Sequence, residues 1–151
     1  MFKGACMFSV HGRWKITVSN NIVVQWFGGA WNEEAIIEYV KEFRQKTSPL
    51  IGEQWAILSF FDEWELGVPG IEPIVAEHCA WFIKNGCVKD CHVYKPSALK
   101  AEQLEKMIPY SEPGYERRVF ASYDDAYAWL KSHQFKLDNP EILNQFGVLN
   151  I

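Results

Sequence analysis

Trp55-Ala-Ile-Leu-Ser-Phe-Phe-Asp62-Glu-Trp-Glu-Leu-Gly-Val-Pro69 decides the fold. Trp55–Phe61 is a near-continuous apolar run of strand length. Such a run marks a strand buried on both faces, as in a parallel sheet sandwiched between helices. The run passes into an acidic, aromatic loop, Asp62, Glu63, Trp64 and Glu65, and that loop opens the next helix near Pro69 or Gly70. In sheets built from alternating strands and helices, such loops lie where ligands and partners dock. No Ser, Thr, Cys, His or Lys lies between Asp62 and Glu72, so the loop offers carboxylates but no hydroxyl, thiol, imidazole or amine.

Upstream, Trp14–Val18 and Ile22–Phe27 are β-rich runs separated by Ser19-Asn20-Asn21. Asn tolerates positive φ, which predicts a hairpin. Gly28-Gly29 is expected to end the second run. Asn32 then caps a helix with Glu33 and Glu34 in its first turn and Ile36, Ile37, Val40 and Phe43 at helical spacing. Downstream, Ile71, Ile74, Val75, His78, Cys79, Phe82 and Ile83 form a helical stripe, with Gly86 just past its end. Asp90–Lys95 is a shorter strand. Ser97 caps a helix, Arg118–Ala121 is a last strand, and Ser122-x-x-Asp125 starts a closing helix. The order is β β α β α β α β α. It predicts one α/β domain with a mixed, mostly parallel sheet of about five strands, an opening hairpin and about four helices.

The chain of 151 residues fits one domain, expected over 1–133. Residues 134–151 form a C-terminal extension. Asn139-Pro140-Glu141 reads as a helix start, with Ile142, Leu143 and Phe146 as its apolar face and Gly147 as its stop. Val148, Leu149 and Ile151 need cover, either from the same domain or from a second subunit.

A net charge of −4 disfavours nucleic acid as the main partner. The N-terminus is too short in its apolar part for a signal peptide, and no run of about 18 apolar residues spans a membrane. Four cysteines with no framework spacing fit reduced thiols and a cytoplasmic setting.

The order of elements resembles the STAS-like proteins, and within them the bacterial SpoIIAA-like proteins. The carriers are Gly28-Gly-Ala-Trp-Asn-Glu-Glu34, Trp55-Ala-Ile-Leu-Ser-Phe-Phe-Asp62-Glu-Trp64, and Phe120-Ala-Ser-Tyr-Asp-Asp-Ala-Tyr-Ala-Trp-Leu130, within about Trp14–His133. The resemblance implies a STAS fold and a regulatory, protein-binding role. In antagonists of that group, a Ser or Thr at the start of the second helix is phosphorylated, which adds about −2 charge at a partner surface. Here that stretch is Leu66-Gly-Val-Pro-Gly-Ile71 and carries no hydroxyl. The resemblance also implies small-molecule or lipid binding as an alternative.

The chemistry-bearing residues point the same way. Asp62, Glu63 and Glu65 are neighbours on a loop with no basic companion, which reads as a solvated surface. His78, Cys79, Cys87, Cys91 and His92 lack close zinc-site pairs. In a strand, Cys91 and His92 face opposite ways, so no metal site is expected. No catalytic residue and no cofactor are expected either: Gly-x-Ser-x-Gly is absent, and Gly28-Gly29 lacks the Lys of a phosphate loop. The expected partner or ligand surface is Asp62, Glu63, Trp64, Glu65, Gly67 and Pro69, with Trp31 beside it. It would meet a protein partner or a second copy. Alternatively Trp26, Phe27, Trp31, Trp64 and Trp81 line an apolar pocket for a small apolar ligand.

Overall fold

A computed structural model describes residues 9–147. The N-terminal segment and the terminal Val148, Leu149 and Ile151 read above lie outside the described residues. The hairpin forms as its sequence dictates. β1 (Arg13–Ser19) and β2 (Ile22–Trp31) are antiparallel, and Asn20 takes the left-handed turn position with φ 52°. α1 (Glu33–Thr47) starts where the Asn32 side chain accepts from the Ala35 amide. β3 (Trp55–Gly67), α2 (Glu72–Lys84), β4 (Cys87–Val93), α3 (Ala98–Met107), a two-residue β5 (Ser111–Glu112), β6 (Tyr115–Phe120) and α4 (Tyr123–Ser132) follow. The Ser97 and Ser122 side chains accept from Lys100 and Asp125 amides, so both predicted caps form. Gly86 ends α2 at φ 115°, where an added Cβ would meet the Glu53 carbonyl oxygen at 2.3 Å.

The sheet has six strands in the order β1-β2-β3-β4-β6-β5. The central pairs β2·β3, β3·β4 and β4·β6 are parallel, and the pairs at both edges are antiparallel. The mixed, mostly parallel α/β architecture is the expected one. The sixth strand is the short β5, paired with β6 as a hairpin.

The boundaries of four strands differ from expectation. β2 does not end at Gly28-Gly29 but continues to Trp31, with Gly29 at φ 73° absorbing an irregularity. β3 does not stop at Phe61. The acidic stretch Asp62–Gly67 is strand, paired with β2 as Gly28↔Glu63, Gly29↔Trp64 and Trp31↔Gly67. Two register shifts insert extra residues into β3, and Leu66 adopts φ 71° at the second. A bulged strand loses strict alternation, which is why its sequence reads as a loop. β4 covers Cys87–Val93 rather than Asp90–Lys95, and β6 covers Tyr115–Phe120 rather than Arg118–Ala121.

The two faces of the sheet are covered differently. α1, α2 and α3 supply Tyr39, Phe43, Val75, Phe82, Leu104 and Met107 to one core, against Val23, Ile57 and Phe61. α4 supplies Ala126 and Leu130 to the other, against Ile22, Val24, Leu58 and Phe60. One helix cannot cover that second face. Phe135, Leu137, Leu143 and Phe146 complete it, the last two from a 3-10 helix at Pro140–Phe146. Asn139 caps that turn and Gly147 ends it at φ 72°.

Candidate functional site

The sheet carries an unexpected polar row across its helix-covered centre. Gln25 of β2 pairs in register with Ser59 of β3, and Ser59 with His92 of β4. One step toward the strand starts, Asp90 of β4 pairs with Arg117 of β6. All five are at most 5% exposed. The Tyr39 hydroxyl donates to Gln25 Oε1 at 2.6 Å, and Gln25 Nε2 donates to Ser59 Oγ at 2.8 Å. The Tyr115 hydroxyl donates to Asp90 Oδ2 at 2.6 Å. His92 Nε2 approaches Asp90 Oδ1 at 3.4 Å, longer than a good hydrogen bond. His78 of α2 reaches the same region, edge-on to the rings of Tyr39, Phe43 and Phe82.

Gln25, Tyr39, Ser59, His78, Asp90 and His92 line a cavity of about 60 Å³ between the sheet and α1–α3. Phe27, Trp31, Phe61 and Trp64 wall its aromatic part, and Val75, Leu104, Met107 and Ile108 its aliphatic part. Several lining polar atoms have no hydrogen-bond partner in the protein: both His78 ring nitrogens, His92 Nδ1 and Asp90 Oδ1. Buried polar atoms are paired in the great majority of cases, so this concentration is a signal. A surface cleft of about 320 Å³ between α2 and α3 shares Cys79, Met107 and Ile108 with the cavity. These three side chains are the wall between the two spaces.

Burial drives His78 down to about 3, with the nearby Arg44 guanidinium adding to it, so the imidazole is neutral near pH 7. Burial alone would raise Asp90. His92, the Tyr115 hydroxyl and the Arg117 guanidinium outweigh it and hold the carboxyl below the usual range. Burial and the Asp90 charge push the Tyr115 hydroxyl and the Cys79 thiol far up. Each of these groups is displaced away from neutrality. A proton-transfer catalyst wants the reverse.

The residues expected at a surface site separate into two sets. Trp31 and Trp64 are 3% and 4% exposed, and both face the cavity. Trp31 Nε1 donates to the Gly28 carbonyl. Of the other proposed pocket aromatics, Phe27 lines the cavity. Trp26 packs toward the opposite face under Arg13 and Lys15, and Trp81 lies under Arg44. Asp62, Glu63, Glu65 and Pro69 are exposed. Beyond Phe60, β3 overhangs β4, and α3 with its N-terminal lead-in satisfies that edge. Asp62 Oδ1 accepts from the Lys95 amide, and Lys100 Nζ donates to the Phe61 and Asp62 carbonyls. Gln103 accepts from the Gly67 amide and donates to its carbonyl. The strand edge is therefore closed to an added strand.

Among the described residues no group of His, Cys, Asp and Glu forms a metal-binding set. Cys91 packs on the α4 face while His92 faces the cavity, as strand alternation requires. No helix among the described residues is long and apolar enough to cross a membrane.

Sequence reasoning placed Ser59 inside a buried strand and His78 on a core stripe but missed the row they join. The available signal was a polar residue in an otherwise apolar strand: Gln25, Ser59, and the i, i+2 pair Asp90 and His92.

A scan of protein families finds no match, and no curated protein matches the chain. Among solved structures the chain is similar to an uncharacterized protein of the DUF3478 family, with a SpoIIAA-like fold, from Shewanella loihica PV-4. The identity is 14%, the TM-score 0.52, and the match covers 82% of this chain and 97% of that one. Together with the mostly parallel sheet and its opening hairpin, this similarity shows that the chain has the SpoIIAA-like fold.

Proposed function

We propose that the chain is a non-catalytic binding domain that takes a small, largely apolar molecule into the cavity between the sheet and α1–α3. The observation that carries this reading is an aromatic-walled cavity in which buried His78, His92 and Asp90 atoms have no protein partner. A well-packed core spends its polar groups on one another. A site for a ligand leaves a few unspent among apolar walls. The displaced protonation of His78, Asp90 and Tyr115 fits binding better than acid–base chemistry.

Xenon tests the cavity without assuming a ligand, because it enters spaces with apolar walls, here Phe27, Phe61, Val75 and Leu104. Under xenon pressure, amide shifts are expected at cavity-lining residues such as Ser59, Trp64 and His92. Filling the space with Ile57→Phe is expected to abolish them. If the lining residues do not respond to xenon, the interior site is wrong.

A second reading rests on the exposed carboxylates of β3. Asp62, Glu63 and Glu65 make no ion pair with other described residues, and exposed Val68 and Pro69 adjoin them. They would suit a basic protein partner or a second copy, acting without a phosphorylation switch. Leu66–Ile71 carries no hydroxyl, and Ser59 is 1% exposed. Affinity capture comparing wild type with Glu63→Ala plus Glu65→Ala tests it. Capture that ignores those two substitutions excludes this surface.

A further inference from the structure

The polar end of the cavity specifies the head group of its ligand, an inference that rests on the interior site proposed above. We propose that it recognises a neutral hydroxyl, so that the ligand is a short alcohol-like molecule rather than an acid or an amine.

Charge narrows the choice. Asp90 is the one Asp, Glu, Lys or Arg among the cavity-lining residues. Arg117 is not one of them: its Nη2 and Nε donate to the Ile108 and Pro109 carbonyls and its guanidinium lies over the Tyr110 ring at 4.0 Å, while its Nη1 has no protein partner. A carboxylate or phosphate head would meet the Asp90 charge with no cation among the cavity-lining residues. A buried charge without a partner is costly, and a like charge beside it is worse. An ammonium head would have to compete for Asp90 with His92 Nε2 at 3.4 Å and with the Tyr115 hydroxyl at 2.6 Å. It would also lose its own hydration in a site walled mostly by apolar groups.

Hydrogen-bond direction narrows it further. Ser59 Oγ accepts from Gln25, and no described residue accepts its hydroxyl hydrogen. Ser59 can therefore donate into the cavity. His92 Nδ1 faces the same cavity without a protein partner. Neutral His78 carries a ring acceptor, also without a protein partner. A donor on β3 and a ring acceptor on α2 are what one hydroxyl group needs, since it accepts and donates at a single oxygen. A hydrocarbon would leave all of these atoms unpaired.

Size sets the body. An engineered cavity of about 150 Å³ holds benzene. At about 60 Å³, this one admits a few heavy atoms unless the wall of Cys79, Met107 and Ile108 yields toward the cleft.

The test is an NMR titration of the full chain at fixed neutral pH with 1-propanol, propanoate and propylammonium, read at the Ser59, Asp90 and His92 amides. 1-Propanol is expected to bind at least about tenfold more tightly than either charged analogue. Ser59→Ala is expected to weaken propanol about 3- to 10-fold while leaving the xenon response in place. Propanoate or propylammonium binding as well as propanol overturns the hydroxyl assignment and leaves the interior site standing. Equal propanol affinity in Ser59→Ala, with that variant still admitting xenon, also overturns it. A xenon response with no propanol binding overturns the head-group assignment alone, and no response to any probe overturns both. The head-group ranking is measured on the wild-type chain, so it survives a Ser59 variant that fails to fold.

Discussion

At the scale of single residues, the buried imidazole of His78 has the largest pH consequence. Its folded value is near 3 against about 6.5 in an unfolded chain, so between these limits the unfolded state binds more protons. Stability therefore rises with pH across this window and is lost as pH falls below about 6.5. Asp90 acts in the same direction at lower pH, because its carboxyl is also held below its unfolded value. His78→Phe removes the first effect while keeping a ring among Tyr39, Phe43 and Phe82. Its stability advantage over wild type is expected to grow by about 2 kcal/mol between pH 7.5 and pH 5, from about 1.5 pH units at 1.36 kcal/mol each. Urea denaturation at the two pH values measures this. A constant difference would place the titrating group elsewhere.

At the scale of elements, the overhang of β3 explains why Asp62–Gly67 misleads as a loop. Its charged residues face solvent, one edge pairs with β2, and on the other edge the Phe61, Asp62 and Gly67 backbone groups are met by the Lys100 and Gln103 side chains of α3 rather than by a strand. Gln103 is the central clamp, bonded to both the amide and the carbonyl of Gly67 and to Glu72. Gln103→Leu is expected to cost about 2 kcal/mol, since it strands two polar groups of a partly buried backbone. Hydrogen exchange should show the Gly67 amide losing protection, with the Ile57 amide unchanged relative to global stability. The α2–α3 wall makes a second prediction. Cys79 is 2% exposed, and burial suppresses its thiolate. It should resist a thiol reagent in the folded chain. Met107→Ala opens the side of the wall facing the cleft, and Cys79 labelling should accelerate about tenfold or more, unlike Cys91 under α4. Equal labelling of both cysteines would mean global unfolding rather than an opened wall.

At the scale of the whole molecule, the C-terminal segment acts as the missing cover of the second sheet face. Leu143 is fully buried, Phe146 stacks near Phe60 at 6.3 Å, and the Asp138 amide donates to Ser19 across the sheet edge. Phe146→Ala is expected to cost about 3 kcal/mol. Ending the chain at His133 should cost more than that, because Ile22, Leu58 and Phe60 lose their cover. Such a protein is expected to bind a hydrophobic dye and to self-associate in light scattering. A stable, monomeric truncated chain would show that this segment contributes little to the core.

The sequence by itself determined the order of the elements apart from the two-residue β5, the hairpin turn at Asn20, the caps at Asn32, Ser97, Ser122 and Asn139, and the burial of Trp55–Phe61. Each of these is encoded within a few residues, by turn chemistry, capping or an unbroken apolar run. It showed less of where β2 and β3 end, because bulges break the alternation that marks a strand. Only the tertiary structure decided the candidate site. Trp64 sits in an acidic, surface-like stretch but turns inward because the bulge after Phe60 shifts the alternation of β3, while Trp31 follows the alternation of Gln25 and Phe27 once β2 runs on past Gly29. Gln25, Ser59 and His92 stand far apart in sequence, yet parallel pairing sets them side by side. Register is a property of paired strands, and no one strand carries it alone.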